Sequence, residues 1–209
     1  ILIDSNFDEP ISVIKVFGDK NLFILRIRFL YSLIGVHKII KSDLIILCTP
    51  MSEYKNIILK MNKFLSPKTI ITDIGSAKIA SSKIIKKFLR KGFFWTSSHP
   101  ITGSEVSGPE HGKEDIFLNK WCILIKEKKT NKNHLIALNK FWKKIGSKVV
   151  LMTSEKHDKI FSITSHLPHL IAYNLVKSAQ DFEIKQKYDL IKFSAGGLRD
   201  FSRIAASNK

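Results

Sequence analysis

A chain of 209 residues with 44% hydrophobic content can bury a real core, and it suits one large domain or two smaller ones. The 35 Lys and Arg against 18 Asp and Glu give a formal net charge of +17, which raises nucleic acid or an acidic surface as partners. The distribution argues against both: Lys83, Lys86, Lys87, Arg90 and Lys91 follow the outer face of one helical pattern, and Lys126, Lys128, Lys129 and Lys132 fall in a polar loop. Such a field still favours a small anionic substrate. Cys48 and Cys122 sit in apolar runs and read as buried free thiols of a reducing compartment. No signal-peptide pattern opens the chain, and the apolar run from Leu22 to Val36 is broken by Arg26 and Arg28 and too short to span a bilayer. A soluble cytoplasmic protein is expected.

The chain does not open on Met, and its first residues read as the middle of an element. It ends inside an apparent helix, so a fragment cut at both ends is expected. Ile1 to Asp4 reads as the end of a buried strand closed by a carboxylate. In a dinucleotide-binding unit an acid after the second strand holds the ribose hydroxyls, which gives Asp4 a candidate role. Residues 5 to 40 carry no clear pattern.

From Asp43 the signals sharpen. Asp43 to Pro50 is a continuous apolar run closed by Thr49-Pro50, the mark of a strand buried on both faces. A helix is predicted over 52–64 with Ser52 as its cap. Thr69 to Asp73 is the next strand and runs out into Ile74-Gly75-Ser76-Ala77-Lys78. Ile79 to Arg90 has helical spacing. Lys91 to Thr96 reads as a short buried strand that delivers His99 to a loop, with Pro100 biasing the His toward an extended backbone and Glu105 nearby. Trp121 to Ile125 and Lys148 to Met152 are further strands, with a helix over 133–145 stopped by Gly146. Strands alternating with helices imply a mostly parallel sheet wrapped on both faces, with ligands beyond the carboxyl ends of the strands. Thr49, Pro50, Gly75, Ser76 and His99 should then line one crevice.

After Met152 the character changes to helix. Thr153 or Ser154 can cap a long helix to about Asp181, kinked at Pro168. Residues 183 to 194 suggest another. Gly196-Gly197 reads as a turn before helix restarts at Leu198. The expected domains are 1–152 and 153–209. His157, His166 and His169 do not converge on one helix face, so no metal site is expected. Ser165 and His169 do share a face. Arg199 and Arg203, four apart beside Asp200 and an uncharged Ile204-Ala205-Ala206 run, suggest a packed site for a substrate anion.

Three motifs then occur in order: His99-Pro-Ile-Thr-Gly-Ser-Glu105, Ser165-His-Leu-Pro-His169 and Gly196-Gly-Leu-Arg-Asp-Phe-Ser-Arg203-Ile-Ala. With Asp73-Ile-Gly-Ser76-Ala-Lys78 and the strand ending Thr49-Pro50, the chain from about residue 43 to 207 resembles the prephenate/arogenate dehydrogenase family. The resemblance implies a Rossmann-like α/β domain, lacking its N-terminal Gly-rich loop, followed by an incomplete helical dimerisation domain. It implies oxidative decarboxylation of prephenate or arogenate with NAD, or NADP, in a homodimer, with no nucleic-acid or membrane partner. It makes His99 the catalytic group on the ring hydroxyl and Ser76 its orienting partner. It places Arg203 on a substrate carboxylate and His169 at the side-chain end, with Ser165, Glu105 and Asp200 in support. Thr49, Pro50, Gly75 and Asp4 fall to the cofactor, and a carboxylate at position 4 favours NAD, since it repels a 2′-phosphate. No Gly-x-Gly-x-x-Gly occurs in these residues, so weak dinucleotide binding by this chain is expected. Two rivals are a dehydrogenase of the same build acting on 3-hydroxy acids and a basic nucleic-acid-binding protein. The first would want a catalytic Lys in a Gly-bearing helix, where this chain has Ser165-His-Leu-Pro-His169. The second would want a recognition motif.

Overall fold

The computed structural model describes residues 42–102, 115–187, 189–190 and 192–206, together with the backbone of three short strands nearer the start. The first compact unit is built around β4, Leu44–Leu47. Four consecutive apolar residues leave a strand no polar face, so both faces must be covered. Leu44 and Ile46 pack with Cys122, Leu124, Leu138, Phe141, Trp142 and Ile145. Ile45 and Leu47 turn the other way, onto Tyr54, Ile57, Ile58, Met61, Leu65, Ile71 and Ile85. Every one of these side chains is buried, each contributing about 1.5–3 kcal/mol if aliphatic and fully covered.

Around β4 the sheet runs in the order β1 (Leu2–Asp4), β2 (Val13–Lys15), β3 (Ile27–Leu30), β4, β5 (Ile70–Asp73). β3, β4 and β5 are parallel, as expected, while β1, β2 and β3 pair antiparallel. The unpatterned stretch 5–40 thus supplies two strands. A second sheet joins β6 (Ser98–Pro100), β7 (Trp121–Ile125) and β8 (Lys148–Met152), with β6 antiparallel to β7 and β7 parallel to β8. A parallel bridge from Ile71 to Trp95, with the Thr96 N–H donating to the Ile71 carbonyl at 3.0 Å, links the two sheets.

The helices of this unit are α1 (Tyr54–Met61), α2 (Lys78–Phe88), α3 (Lys132–Lys144) and the first residues, through Asp158, of α4 (Ser154–Phe161). α1 begins later than expected because a 3₁₀ turn, Met51–Glu53, follows Pro50 and Ser52 makes no cap. α3 is capped by the Asn131 side chain, which accepts from the Asn133 and His134 amides. It stops at Gly146, whose φ of +95° suits glycine. The strand expected at 91–96 is displaced: Gly92 turns with φ +87°, Phe94 is exposed, and ladder pairing begins only at Trp95. His99 is therefore the middle residue of β6, opposite Ile123, and not a loop residue beyond a strand. Lys83, Lys86, Lys87 and Arg90 are exposed along α2 and just past it, as a solvated face requires. By its internal contacts the unit runs on through Asp158.

In the second unit a π turn, Ser162–His166, leads into α5, Leu167–Gln186. Pro168 stands in the first turn of α5, where its missing N–H costs no helical hydrogen bond, directly after the widened turn. α5 continues past Asp181 and ends at Lys187 in the left-handed conformation (φ 56°). Of the helix expected over 183–194, residues 183–186 are the end of α5, and the described residues from 189 to 194 are turn or irregular. α6 spans Gly196–Ala205, so the two glycines form its first turn and are not a turn preceding it. Among the described residues no helix is long and apolar enough to cross a membrane.

Candidate active site

The carboxyl ends of β4 and β5 are pinned by a buried ion pair. Asp73 closes β5, and Lys78 opens α2 five residues later; both side chains are fully buried and their Nζ–Oδ2 distance is 3.0 Å. Lys78 Nζ also donates to Ser97 Oγ at 2.8 Å and to the Ser98 carbonyl at 2.6 Å. Asp73 further accepts from Trp95 Nε1 at 2.7 Å and Ser97 Oγ at 2.6 Å. All three ammonium donors are therefore used, which is what lets a charge stay buried. Desolvation pulls the lysine below its ordinary value, and the Asp73 charge opposes that. Ser98 Oγ is held in turn by Thr72 Oγ1 and by the Trp142 indole N–H. The network fixes residues 97 and 98 against β5, and so fixes the residue that follows.

That residue is His99, half-buried. Its Nδ1 lies 2.7 Å from Nε2 of His157, a fully buried residue of α4. The ring centroids are 4.9 Å apart and tilted by 55°. His157 Nδ1 lies 2.8 Å from Asp158 Oδ1. The Asp158 carboxylate also accepts the Lys78 and Ile79 amides, both at 2.9 Å, and so caps α2 from a helix 80 residues away in sequence. Partial burial pushes the Asp158 carboxyl up, but the two amides and His157 outweigh it and hold it below the usual carboxylate range. On the opposing strand, burial pushes the Cys122 thiol up to about 12, so it stays neutral beside the site. Cys48 and Cys122 are both free.

Of the expected site residues, Thr49, Pro50, Gly75, Ser76 and His99 lie in the first unit. Thr49 and Pro50 follow β4, and Gly75 and Ser76 follow the adjacent β5, two registered strand ends. Thr49 Oγ1 is buried and has no hydrogen-bond partner among the described residues, an orphan that a polar ligand laid across the strand ends would satisfy. A Cβ on Gly75 would stand 2.9 Å from the Tyr54 hydroxyl, so packing alone demands glycine there. Ser76 is exposed and makes no hydrogen bond among the described residues; the imidazole set against His99 is that of His157. Asp4 ends β1 opposite Val13, inside the strand and not beyond it, and its side chain lies outside the described residues, as does all of Glu105. In the second unit, His169 Nδ1 donates to the Ser165 carbonyl at 2.7 Å, so those two are joined as their spacing suggested. Arg199, Asp200 and Arg203 are exposed, where a packed site was expected. α6 lays Leu198, Phe201, Ser202 and Ala205 inward, and Arg199, though exposed, shares the lining of a cavity with Leu198, Ser202 and Val176 and Ala179 of α5. Lys78 closes the Asp73-Ile-Gly-Ser76-Ala-Lys78 motif of the sequence, whereas His157 and Asp158, which the fold sets against His99, have no role assigned there.

Comparison with known proteins decides the family. The family model described as "Prephenate dehydrogenase, nucleotide-binding domain" matches residues 25–151, and "Prephenate dehydrogenase, dimerization domain" matches 153–209. The chain belongs to the prephenate dehydrogenase family. A cyclohexadienyl dehydrogenase of Zymomonas mobilis is 34% identical over 80% of this chain and 57% of its own length. A prephenate dehydrogenase of Bacillus subtilis is 32% identical over 78% and 44%. The crystal structure of the A. aeolicus prephenate dehydrogenase with hydroxyphenyl propionate and NAD+ superposes with a TM-score of 0.72 at 32% identity, covering 85% of this chain and 60% of that one. This chain spans about half the length of the curated relatives it matches. Membership in the prephenate dehydrogenase family makes the nucleotide-binding domain Rossmann-like and the following domain helical.

Proposed function

We propose that this protein oxidatively decarboxylates prephenate to 4-hydroxyphenylpyruvate, or arogenate to tyrosine, as an NAD- or NADP-dependent cytoplasmic homodimer of tyrosine biosynthesis. The observation that carries the reading is His99, presented half-exposed from β6 with its Nδ1 engaged by His157 at 2.7 Å. A neutral imidazole so held accepts the ring hydroxyl's proton as hydride leaves the carbinol carbon. Loss of carbon dioxide then makes the ring aromatic. The nicotinamide cofactor, when bound, supplies the hydride acceptor. Thr49, with its orphaned hydroxyl, and Pro50, Gly75 and Asp4 are the residues of this chain that would hold it. Ser76, exposed on the loop after β5, contacts the ring hydroxyl. Arg203 binds a substrate carboxylate, with Asp200 beside it, and His169, oriented by Ser165, meets the side-chain end; Glu105 completes the set. The exposed Leu170, Ile171 and Tyr173 of α5 suit a helical face that a second copy covers.

The test is His99→Asn in the full-length protein. Turnover should fall by about 100-fold or more while dinucleotide binding stays near the parent value. Retained turnover removes His99 from its role. Arg203→Ala should raise the apparent KM for the acid more than it lowers kcat; an unchanged KM removes Arg203 from the substrate.

A further inference from the structure

We propose that His157 and Asp158 are positioning residues that set the tautomer of His99 and share its proton during the reaction. The inference deepens the proposed function and rests on His99 acting as the base. The geometry runs from one fixed end. Asp158 is capping a helix through both carboxylate oxygens, with the Lys78 amide on Oδ1 and the Ile79 amide on Oδ2. A carboxylate doing this can only accept, so His157 Nδ1 carries hydrogen and donates to Oδ1. Neutral His157 then has its lone pair on Nε2. The 2.7 Å contact to His99 requires one hydrogen between the two nitrogens, and it must come from His99 Nδ1. The basic nitrogen of His99 is consequently Nε2, on the far edge of the ring. A helix N-terminus is in this way converted into the protonation pattern of a base two residues removed from it by hydrogen bonds.

The same chain can carry charge. As hydride leaves the ring carbon, the hydroxyl proton passes to His99 Nε2, and the Nδ1 proton of His99 moves to His157 Nε2. The positive charge then rests on His157, buried against Asp158, and not on the half-exposed ring. The carbon–carboxyl bond breaks, its electron pair enters the ring, and carbon dioxide leaves. Both protons then move back, and the phenol oxygen regains its hydrogen. The enzyme ends with the protons it began with, and the only net acceptor is the nicotinamide cofactor for the hydride.

The experiment is ¹⁵N NMR of histidine-labelled full-length protein without ligands at about pH 8, where imidazoles are neutral, followed by steady-state kinetics. The parent should show His99 protonated on Nδ1 and unprotonated on Nε2. Asp158→Asn keeps a capping oxygen but lets an amide donate to His157; the pattern should reverse, with hydrogen on His99 Nε2, and kcat should fall about 100-fold with KM within about twofold. His157→Gln offers an oxygen that accepts from His99 Nδ1 but cannot take the proton, so the tautomer should survive while kcat falls about 10-fold. His157→Leu should lose both. A parent spectrum with hydrogen on His99 Nε2, or a His157→Leu enzyme with parental kcat, overturns the inference. Should the parent oxidise neither acid with either dinucleotide, the proposed function fails, and the ring-nitrogen spectrum alone then decides the tautomer.

Discussion

Two polar clusters meet at Lys78, and they are built on opposite terms. Through its side chain Lys78 joins Asp73, Ser97 and the Ser98 carbonyl, a cluster with both charges fully buried and every ammonium hydrogen used. Through its backbone amide it joins Asp158, His157 and His99, a chain that starts on a half-exposed carboxylate and ends on a half-exposed ring. The first has no vacancy for a proton to enter or leave, so it can only hold strands in place. The second joins two imidazoles through a single shared hydrogen, the kind of contact along which a proton can move. Satisfaction and burial, more than residue type, separate the part that holds from the part that reacts.

The comparison breaks first at the ion pair. Lys78→Met leaves the Asp73 carboxylate buried without its cation and should cost about 3–5 kcal/mol in denaturant unfolding. Adding Asp73→Asn should recover part of that loss, because no stranded charge then remains; a double variant no more stable than the single would contradict the account. A smaller effect is expected at Gly75→Ala, where the new methyl group meets the Tyr54 hydroxyl at 2.9 Å. Overpacking of this kind costs about 1–3 kcal/mol, and Tyr54→Phe in the same chain should relieve it by removing the oxygen. Equal stability of Gly75→Ala and parent would show that the loop gives way freely. The smallest effect belongs to Asp158. Its folded carboxyl titrates below the unfolded value of about 3.9, so its contribution is complete above that value and is lost as pH falls through the folded one. Parent should exceed Asp158→Asn in thermal stability at neutral pH, and the margin should close on acidification below about pH 4. A margin that widens in acid would reverse the assigned sign.

Much of this scaffold is legible from residue order. Leu44 to Leu47 has no polar member and so must be an interior strand, and Trp121–Ile125 and Lys148–Met152 carry their bounds in their apolar content. Gly146 marks the end of α3 by cap chemistry alone, while the Asn131 cap at its start is seen only in the structure. What stays hidden is whatever depends on a partner distant in sequence. Lys78 is legible as the end of the Asp73-Ile-Gly-Ser76-Ala-Lys78 motif, but only the fold brings Asp73, Ser97 and Ser98 around its side chain. His157 and Asp158 are neighbours in the chain, a spacing that marks no shared helix face, and their value comes from His99 lying 58 residues earlier. The site motifs of the second unit are legible as motifs, yet the exposure of Arg203 is not, because it depends on which side of α6 meets α5.

Capping α2 from Asp158 has one more consequence. The amides of Lys78 and Ile79 can exchange with solvent only when that carboxylate lets go. Every such excursion also removes the acceptor that orients His157. Hydrogen–deuterium exchange at two backbone positions thereby reads out how often the base at position 99 is out of order.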